Sequence, residues 1–131
     1  MEENQSLFQR TKEIATELRN NADNSNAEMY YKMLDELTGI FCHINVAFKS
    51  VRAQKENEEV GYYYNLKVTA SHNNEKFVDA VAKQEASFYI APLRTVRDIL
   101  EGYVESVSTC IGTCKARIYE AKKDRQNEQG V

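Results

Sequence analysis

The 131-residue sequence has little proline or glycine: Pro92 is the one proline, and five residues are glycine. Folds built from many short strands need frequent turn residues, so this scarcity argues against a sandwich or a barrel. Long helices are the alternative. A chain of this length can bury roughly two thirds of its unfolded surface in one core. We therefore predict a single all-α domain over residues 1–131.

The sequence also lacks a long apolar run and a paired set of cysteines. No stretch reaches the roughly 18 consecutive apolar residues of a transmembrane helix. The segment Met1–Gln5 is acidic and polar, unlike a signal peptide. Three cysteines, an odd number, do not form a disulfide framework. We expect a cytoplasmic protein that does not contact a membrane.

Acidic and basic residues are nearly balanced in number. The 17 basic and 20 acidic residues give a formal net charge of −3. This balance argues against a strongly basic, histone-like protein. It does not exclude a local basic surface, because association depends on charged patches more than on the net charge of the chain.

The first 26 residues predict a short N-terminal helix followed by a linker. Ser6 and Gln9 have the spacing of a capping box, and Ser25 and Glu28 repeat that spacing at the start of a second helix. Four residues of the first helix share one face: Leu7, Thr11, Ile14 and Leu18. Residues 20–26 are asparagine-rich, which is typical of a turn.

Apolar residues at alternating spacings of three and four, the pattern of a coiled-coil seam, predict two long amphipathic helices, about 26–58 and 92–124. The stripe of the earlier helix consists of Tyr30, Met33, Leu37, Ile40, Ile44, Ala47 and Val51. The stripe of the later helix consists of Leu93, Val96, Leu100, Tyr103, Val107, Cys110 and Cys114.

The segment between these helices predicts a turn and a shorter helix. Residues 69–74 have turn composition, and residues 75–90 form an amphipathic stretch that Pro92 either kinks or ends. The pattern does not decide whether Tyr62–Tyr64 continue the preceding helix, because three adjacent residues do not share one face.

The two long helices have similar lengths, about 50 Å each at 1.5 Å per residue, and are expected to pack antiparallel in an elongated helical bundle. Exposed parts of their apolar stripes would bind further copies of the chain, so we predict a homo-oligomer. The alternative is that the N-terminal helix and segment 75–90 cover both stripes.

No constellation of residues predicts an enzyme or a cofactor. Cys110 and Cys114, with Cys42 and His43, are conceivable metal ligands, but structural zinc sites have paired short spacings separated by turns. Buried free cysteines are the preferred interpretation. The sequence has no nucleophile motif and no glycine-rich phosphate loop. We expect no catalytic residues, no metal and no cofactor.

Three charged groups are candidate binding sites. A run of lysines and arginines can neutralise phosphates, and exposed tyrosines can stack on unpaired bases. The central basic cluster is Lys49, Arg52, Lys55, Tyr62, Tyr63, Tyr64 and Lys67. The terminal basic cluster is Lys115, Arg117, Lys122, Lys123 and Arg125. The acidic stripe, a candidate site for a protein partner, is Asp98, Glu101 and Glu105. Solvated helix faces are the alternative interpretation of all three.

The layout resembles the recombination mediators of tailed phages. The similarity is greatest over the last 55 residues, from Glu75–Ala80 through the apolar stripe to Lys115–Tyr119, and looser over Tyr31–Tyr64. The resemblance implies a ring-forming helical protein that binds single-stranded DNA and helps to load a recombinase. It also implies that Lys55, Tyr63 and Tyr64 contact DNA. The sequence departs from that pattern at three glutamates: Glu56, Glu58 and Glu59.

Our sequence-based hypothesis is therefore an oligomeric helical protein that binds single-stranded nucleic acid and a protein partner such as a recombinase. Two other hypotheses remain open. The acidic stripe and net negative charge suit a phage-encoded inhibitor or adaptor of a host enzyme, and the apolar stripes suit a structural assembly protein.

Overall fold

The computed structural model describes residues 2–24 and 26–129. Four helices follow one another, α1 (Glu2–Asn20), α2 (Ala27–His72), α3 (Asp79–Tyr89) and α4 (Ala91–Gln129), and these described residues contain no strand. The predicted all-α bundle is confirmed. None of the four helices has a stretch long and apolar enough to cross a membrane.

The helices contribute to two compact units. Unit 1 comprises residues 1–45 and 102–131, and unit 2 comprises residues 46–101. Because α2 and α4 each contribute to both units, the stripes predicted from the sequence are divided between them.

Unit 1 is a three-helix bundle whose helix directions follow from side-chain contacts. Arg10 of α1 binds Glu36 of α2, whereas Tyr30, near the start of α2, binds the carbonyl of Asn21 just after α1. The helices α1 and α2 are therefore antiparallel. Phe8 stacks on Tyr103 of α4, and the far end of α1 meets α4 ten or more residues later, so α1 and α4 are parallel. It follows that α2 and α4 are antiparallel in this unit, as predicted.

The core of unit 1 consists of the predicted stripes. The fully buried or nearly fully buried side chains come from all three helices and include Ile14, Leu18, Tyr30, Met33, Leu37, Ile40, Ile44, Val107, Cys110, Cys114 and Ile118. Burial of Cys110 and Cys114 confirms their interpretation as core residues, whereas the same interpretation is wrong for Cys42, which is exposed because it lies on the side of α2 away from the buried stripe. Burial also raises the pKa of the Cys110 and Cys114 thiols, because a thiolate is poorly solvated there.

Unit 2 is built on a helical hairpin. The C-terminal part of α2 packs against α3, which returns antiparallel to it: Leu66 and Ala70 lie beside Phe77 and Val78 at the start of α3, whereas the earlier residues Glu59 and Val60 lie beside Lys83 and Ala86 further along it. Few side chains of this unit are buried, namely Ala82, Ala86, Ile90 and Leu100.

The end of α2 differs from the prediction. The helix extends past residue 58 and through the predicted turn, ending at His72. Asn74 has a positive φ of 55°. The amide of Glu75 donates to the carbonyl of Ala70, and that of Asn74 donates to the carbonyl of Ser71. These bonds form a Schellman motif, and asparagine tolerates the left-handed conformation that the motif requires. The turn-like composition of residues 69–74 therefore marks a helix cap.

The remaining boundaries follow from capping and proline geometry. Segment 75–90 is helical only from Asp79, and this helix ends before Ile90. Pro92 therefore lies in the first turn of α4. Backbone amides in the first turn of a helix have no partner within the helix, so the missing N–H of proline costs little there. Ser6 lies inside α1 and is not its N-cap. Ser25 lies outside the described residues. At the start of α2, the side-chain oxygen of Asn26 accepts a hydrogen bond from the backbone amide of Glu28.

Candidate nucleic-acid interface

The central basic cluster lies in unit 2, and its cations are partly neutralised. The Lys55 ammonium lies 3.3 Å from a Glu59 carboxylate oxygen, and its side chain is only 15% exposed. Arg52 is exposed, and its guanidinium lies over the ring of Phe48, one helical turn earlier, with Cζ 5.3 Å from the ring centroid. On a helical wheel, Glu56 falls on the same face as Lys49 and Lys67, so acidic charge interrupts this face.

Two of the three central tyrosines are engaged within unit 2. The ring of Tyr62 stacks on Tyr89 with centroids 4.4 Å apart. The Tyr63 hydroxyl donates a hydrogen bond to the Asp79 carboxylate, and its ring meets Phe77 edge-on. Tyr64 is 61% exposed. Of this cluster, Lys49, Arg52, Tyr64 and Lys67 remain available to a ligand.

The Tyr63–Asp79 hydrogen bond belongs to a polar group that joins α2 to α3. The Lys83 ammonium lies 2.9 Å from the second Asp79 oxygen. The hydrogen bond from Tyr63, followed by that from Lys83, lowers the pKa of Asp79. The pKa values of Tyr63 and Lys83 are raised, in each case mainly by hydrogen bonding to this carboxylate. The group fastens the hairpin and leaves these side chains less available to a ligand.

The terminal basic cluster lies in unit 1, and one of its five members is structural. The Arg117 guanidinium donates a 2.6 Å hydrogen bond to the Leu18 carbonyl near the end of α1 and lies 5.5 Å from the centroid of the Tyr30 ring. A guanidinium held in this way is not available to a phosphate. The other four cations are exposed and form no ion pair within the described residues: Lys115, Lys122, Lys123 and Arg125.

The exposed part of this cluster surrounds an aromatic side chain. Tyr119 is 66% exposed. It follows Lys115 by four residues and precedes Lys122 and Lys123 by three and four, so all four side chains fall within about 100° of the α4 circumference. Glu120 and Asp124 fall outside that sector. We call these four residues, Lys115, Tyr119, Lys122 and Lys123, the terminal basic face.

A second tyrosine of unit 1 borders this face. The Lys122 ammonium lies 5.3 Å from the ring centroid of Tyr31 on α2, and Tyr31 is 42% exposed. Cation and ring attract each other at this distance. The interaction places an aromatic surface of α2 beside the terminal basic face.

Sequence reasoning did not select Tyr119 or Tyr31 as site residues, although a signal for Tyr119 was present. Its spacing from Lys115, Lys122 and Lys123 places it on their side of the helix and away from Ile118, which is buried. The proximity of Tyr31 to Lys122 depends on how α2 packs on α4. The spacing of residues within one helix does not predict such a contact.

The acidic stripe is exposed along α4. Asp98 lies 2.8 Å from the guanidinium of its neighbour Arg97, which offsets part of its charge. Glu101 and Glu105 are exposed without an ion pair among the described residues. Asp98 and Glu101 belong to unit 2, and Glu105 belongs to unit 1.

Comparisons with known proteins found no family model, no curated protein and no solved structure that matches this chain.

Proposed function

We propose that this chain is a non-enzymatic protein that binds single-stranded nucleic acid through the terminal basic face. The observation that supports the proposal most strongly is the exposure of Tyr119 among Lys115, Lys122 and Lys123. An exposed tyrosine ring offers a surface for stacking, and three ammonium groups beside it attract an anion. The ligand that suits this face is therefore an anion with an aromatic component.

Nucleic acid provides both components. Phosphates bound by lysines release condensed counterions, which supplies affinity without sequence preference. An unpaired base can stack on a tyrosine ring, at a gain of roughly 1–3 kcal/mol per base. A duplex keeps its bases stacked inside the helix, so the tyrosine favours single strands.

The terminal face fits this role better than the central cluster. Lys55 is paired with Glu59, and Tyr62 and Tyr63 are bound to other residues of unit 2. We therefore place the primary binding surface on unit 1 and assign Lys49, Arg52, Tyr64 and Lys67 a secondary role.

The biological role that agrees with this activity is recombination mediation, as the resemblance to phage mediators implies. In that role, the protein would bind a single strand and a recombinase at the same time. We assign recombinase binding to the exposed carboxylates of the acidic stripe, Asp98, Glu101 and Glu105.

Fluorescence anisotropy of a labelled single-stranded oligonucleotide tests nucleic-acid binding. We expect wild-type binding that weakens steeply with salt. The variant with Lys115→Ala, Lys122→Ala and Lys123→Ala should bind at least tenfold more weakly. Its slope of log affinity against log salt should be shallower by about 0.7 for each lysine–phosphate pair that the substitutions remove.

Lys12→Ala is the matched control, because Lys12 is an exposed lysine of unit 1 outside the cluster. It should leave the affinity within twofold of the wild type. Equal affinity and equal salt slope for the triple variant and the control would refute the proposed interface.

A protein-directed function, such as inhibition of a host enzyme, is the second candidate. It is favoured by the exposed carboxylates of Glu101 and Glu105, which could imitate phosphates toward a basic partner. A pull-down from nuclease-treated host lysate distinguishes the two functions. Capture of a stoichiometric protein that Glu101→Gln with Glu105→Gln abolishes, in the absence of oligonucleotide binding, would favour this candidate.

A further inference from the structure

Exposed apolar side chains are unevenly distributed between the two units. Of the eleven large hydrophobic residues that are exposed in the described parts of the chain, nine belong to unit 2: Val46, Val60, Tyr64, Val68, Val78, Val81, Phe88, Tyr89 and Ile99. The same unit has four buried hydrophobic residues, two of which are alanines. Unit 2 thus has more exposed large hydrophobic side chains than fully buried ones.

Helix α3 concentrates this surface, because it carries two apolar stripes. Ala82, Ala86 and Ile90 form the buried stripe. Val78 at its N-cap, Val81 and Phe88 follow spacings of three and seven and form an exposed stripe. Phe88 is 72% exposed, more than any other large hydrophobic side chain in the described part of the chain.

A groove begins at the other end of this exposed stripe. It lies between the C-terminal part of α2 and the start of α3 and has a volume of about 320 Å³. Leu66 and Ala70 form one wall, and Phe77, Val78 and Val81 form the other. Glu75, Lys76 and Glu85 provide its charged rim. The groove therefore has apolar walls beside charged and polar side chains, and it is large enough to receive an aromatic ring.

We propose that α3 is a self-association surface, in which Phe88 of one copy inserts into the groove of a second copy. The two α3 helices would cross antiparallel about a twofold axis near Lys83. Residues 78 and 88 are ten positions apart, about 15 Å along a helix. An antiparallel arrangement therefore brings each Phe88 to the groove of the other copy. The two Phe88–groove contacts form together, as an isologous interface requires.

The charges of unit 2 favour a second copy as the occupant of this groove. Residues 46–101 carry eight basic and eight acidic side chains, so two copies of unit 2 approach each other without net repulsion. Lys76 and Glu85 both border the groove, and the antiparallel arrangement directs Glu85 of one copy toward the rim that carries Lys76 of the other. Lys83 is at the level of the axis but lies on the opposite side of α3, beside Glu59 and Val60 of α2, where it is paired with Asp79.

This inference is independent of the primary interface for nucleic acid, because it concerns α3 of unit 2 and that interface lies on unit 1. Light scattering coupled to gel filtration should give the mass of a dimer, or a multiple of it, for the wild type. Phe88→Ser should reduce the mass to that of the next smaller species or the monomer. Val46→Ser is the control, since Val46 is 70% exposed in the same unit and lies outside α3, and it should leave the mass unchanged.

Site-directed cross-linking tests the antiparallel geometry. In a Cys42→Ser background that keeps Phe88, oxidation of the double variant Val81→Cys and Glu85→Cys should yield a disulfide-linked dimer, because these positions lie equally far on either side of the axis. Val81→Cys alone should not, because the two residues 81 would be offset by about 6 Å along the helices in addition to the spacing between the helices, beyond the roughly 7 Å Cα separation that a disulfide spans. Circular dichroism of each variant confirms that the helices are intact.

Two results would overturn the proposal. One is a wild-type protein that remains monomeric at high micromolar concentration. The other is a Phe88→Ser variant whose mass equals that of the wild type.

Discussion

Arg117 and Tyr30 hold the three helices of unit 1 together at one end. The guanidinium lies 5.5 Å from the tyrosine ring centroid and donates to the Leu18 carbonyl, while the tyrosine hydroxyl hydrogen-bonds to the carbonyls of Asn21 and Asn24. One residue pair therefore joins α4, α2 and the end of α1. These interactions make Arg117 a structural residue within a cluster of exposed cations.

We predict that Arg117→Ala lowers the free energy of unfolding by about 2 kcal/mol, because it removes a hydrogen bond from a charged donor and a cation–π interaction. Lys115→Ala, two residues earlier and exposed, should change it by less than about 0.5 kcal/mol. Urea denaturation followed by circular dichroism gives both values. Equal losses of stability for the two variants would contradict the structural role of Arg117.

Stability should depend on pH through Glu36. Arg10 donates to both Glu36 oxygens, at 2.5 and 2.8 Å, and these hydrogen bonds lower the pKa of Glu36 below its usual value of 4.5. The ionised carboxylate therefore stabilises the folded state at neutral pH, and this contribution disappears as the pH falls from about 4.5 through the lower folded-state pKa.

Thermal melting of wild type and Glu36→Gln across this range measures the effect. The wild type should be more stable at pH 7, and the difference between the two melting temperatures should shrink below pH 4.5. The effect should be small, because Glu36 is largely exposed and solvent screens the pair. A difference that stays constant from pH 7 to pH 3 would contradict this account.

The three cysteines should differ in reactivity. Cys42 is exposed, whereas Cys110 and Cys114 are buried and their pKa values are raised. We predict that an aromatic disulfide reagent at pH 8 modifies one thiol of the native protein rapidly and all three thiols in denaturant. The Cys42→Ser variant is the control, and it should show no rapid phase. Rapid modification of two or three native thiols would mean that the core of unit 1 is open.

Gly39 offers a route to a more stable protein. It lies inside α2, and a Cβ atom added there has no neighbour within 4 Å. Alanine restricts the unfolded chain more than glycine does, so Gly39→Ala should raise the free energy of unfolding by about 0.5–1 kcal/mol. Ile40→Ala at the adjacent, buried position should lower it by about 2–4 kcal/mol. Denaturation of both variants checks this contrast.

The fold was predictable from the sequence where a long apolar stripe is buried on one side. Leu37, Ile44, Val107 and Cys114 are buried as their spacing predicts. The prediction was wrong at the end of α2, because residues 59–72 carry no comparable stripe and their polar composition resembles a turn. The hydrogen bonds that cap the helix at Asn74 involve the backbone, and composition alone does not place them.

The candidate site was predictable only as a set of charges. Spacing located the terminal basic cluster, yet it did not reveal that Arg117 contacts Leu18 and Tyr30 or that Lys55 pairs with Glu59. These interactions depend on packing between helices and on rotamers. They separate the cations that remain free to bind a phosphate from those that hold the fold together.

A tryptophan at position 119 gives the most direct test of the proposed interface. The chain has no tryptophan, so Tyr119→Trp introduces a single fluorescent reporter at the centre of the terminal basic face. A single-stranded thymidine oligonucleotide should quench this emission strongly at low salt and weakly at high salt, because stacking depends on phosphate binding by the lysines. Tyr64→Trp, similarly exposed but in the central cluster, should be quenched much less. Quenching of the reporter at position 64 but not at position 119, or of neither, would contradict the assignment of nucleic-acid binding to the terminal basic face.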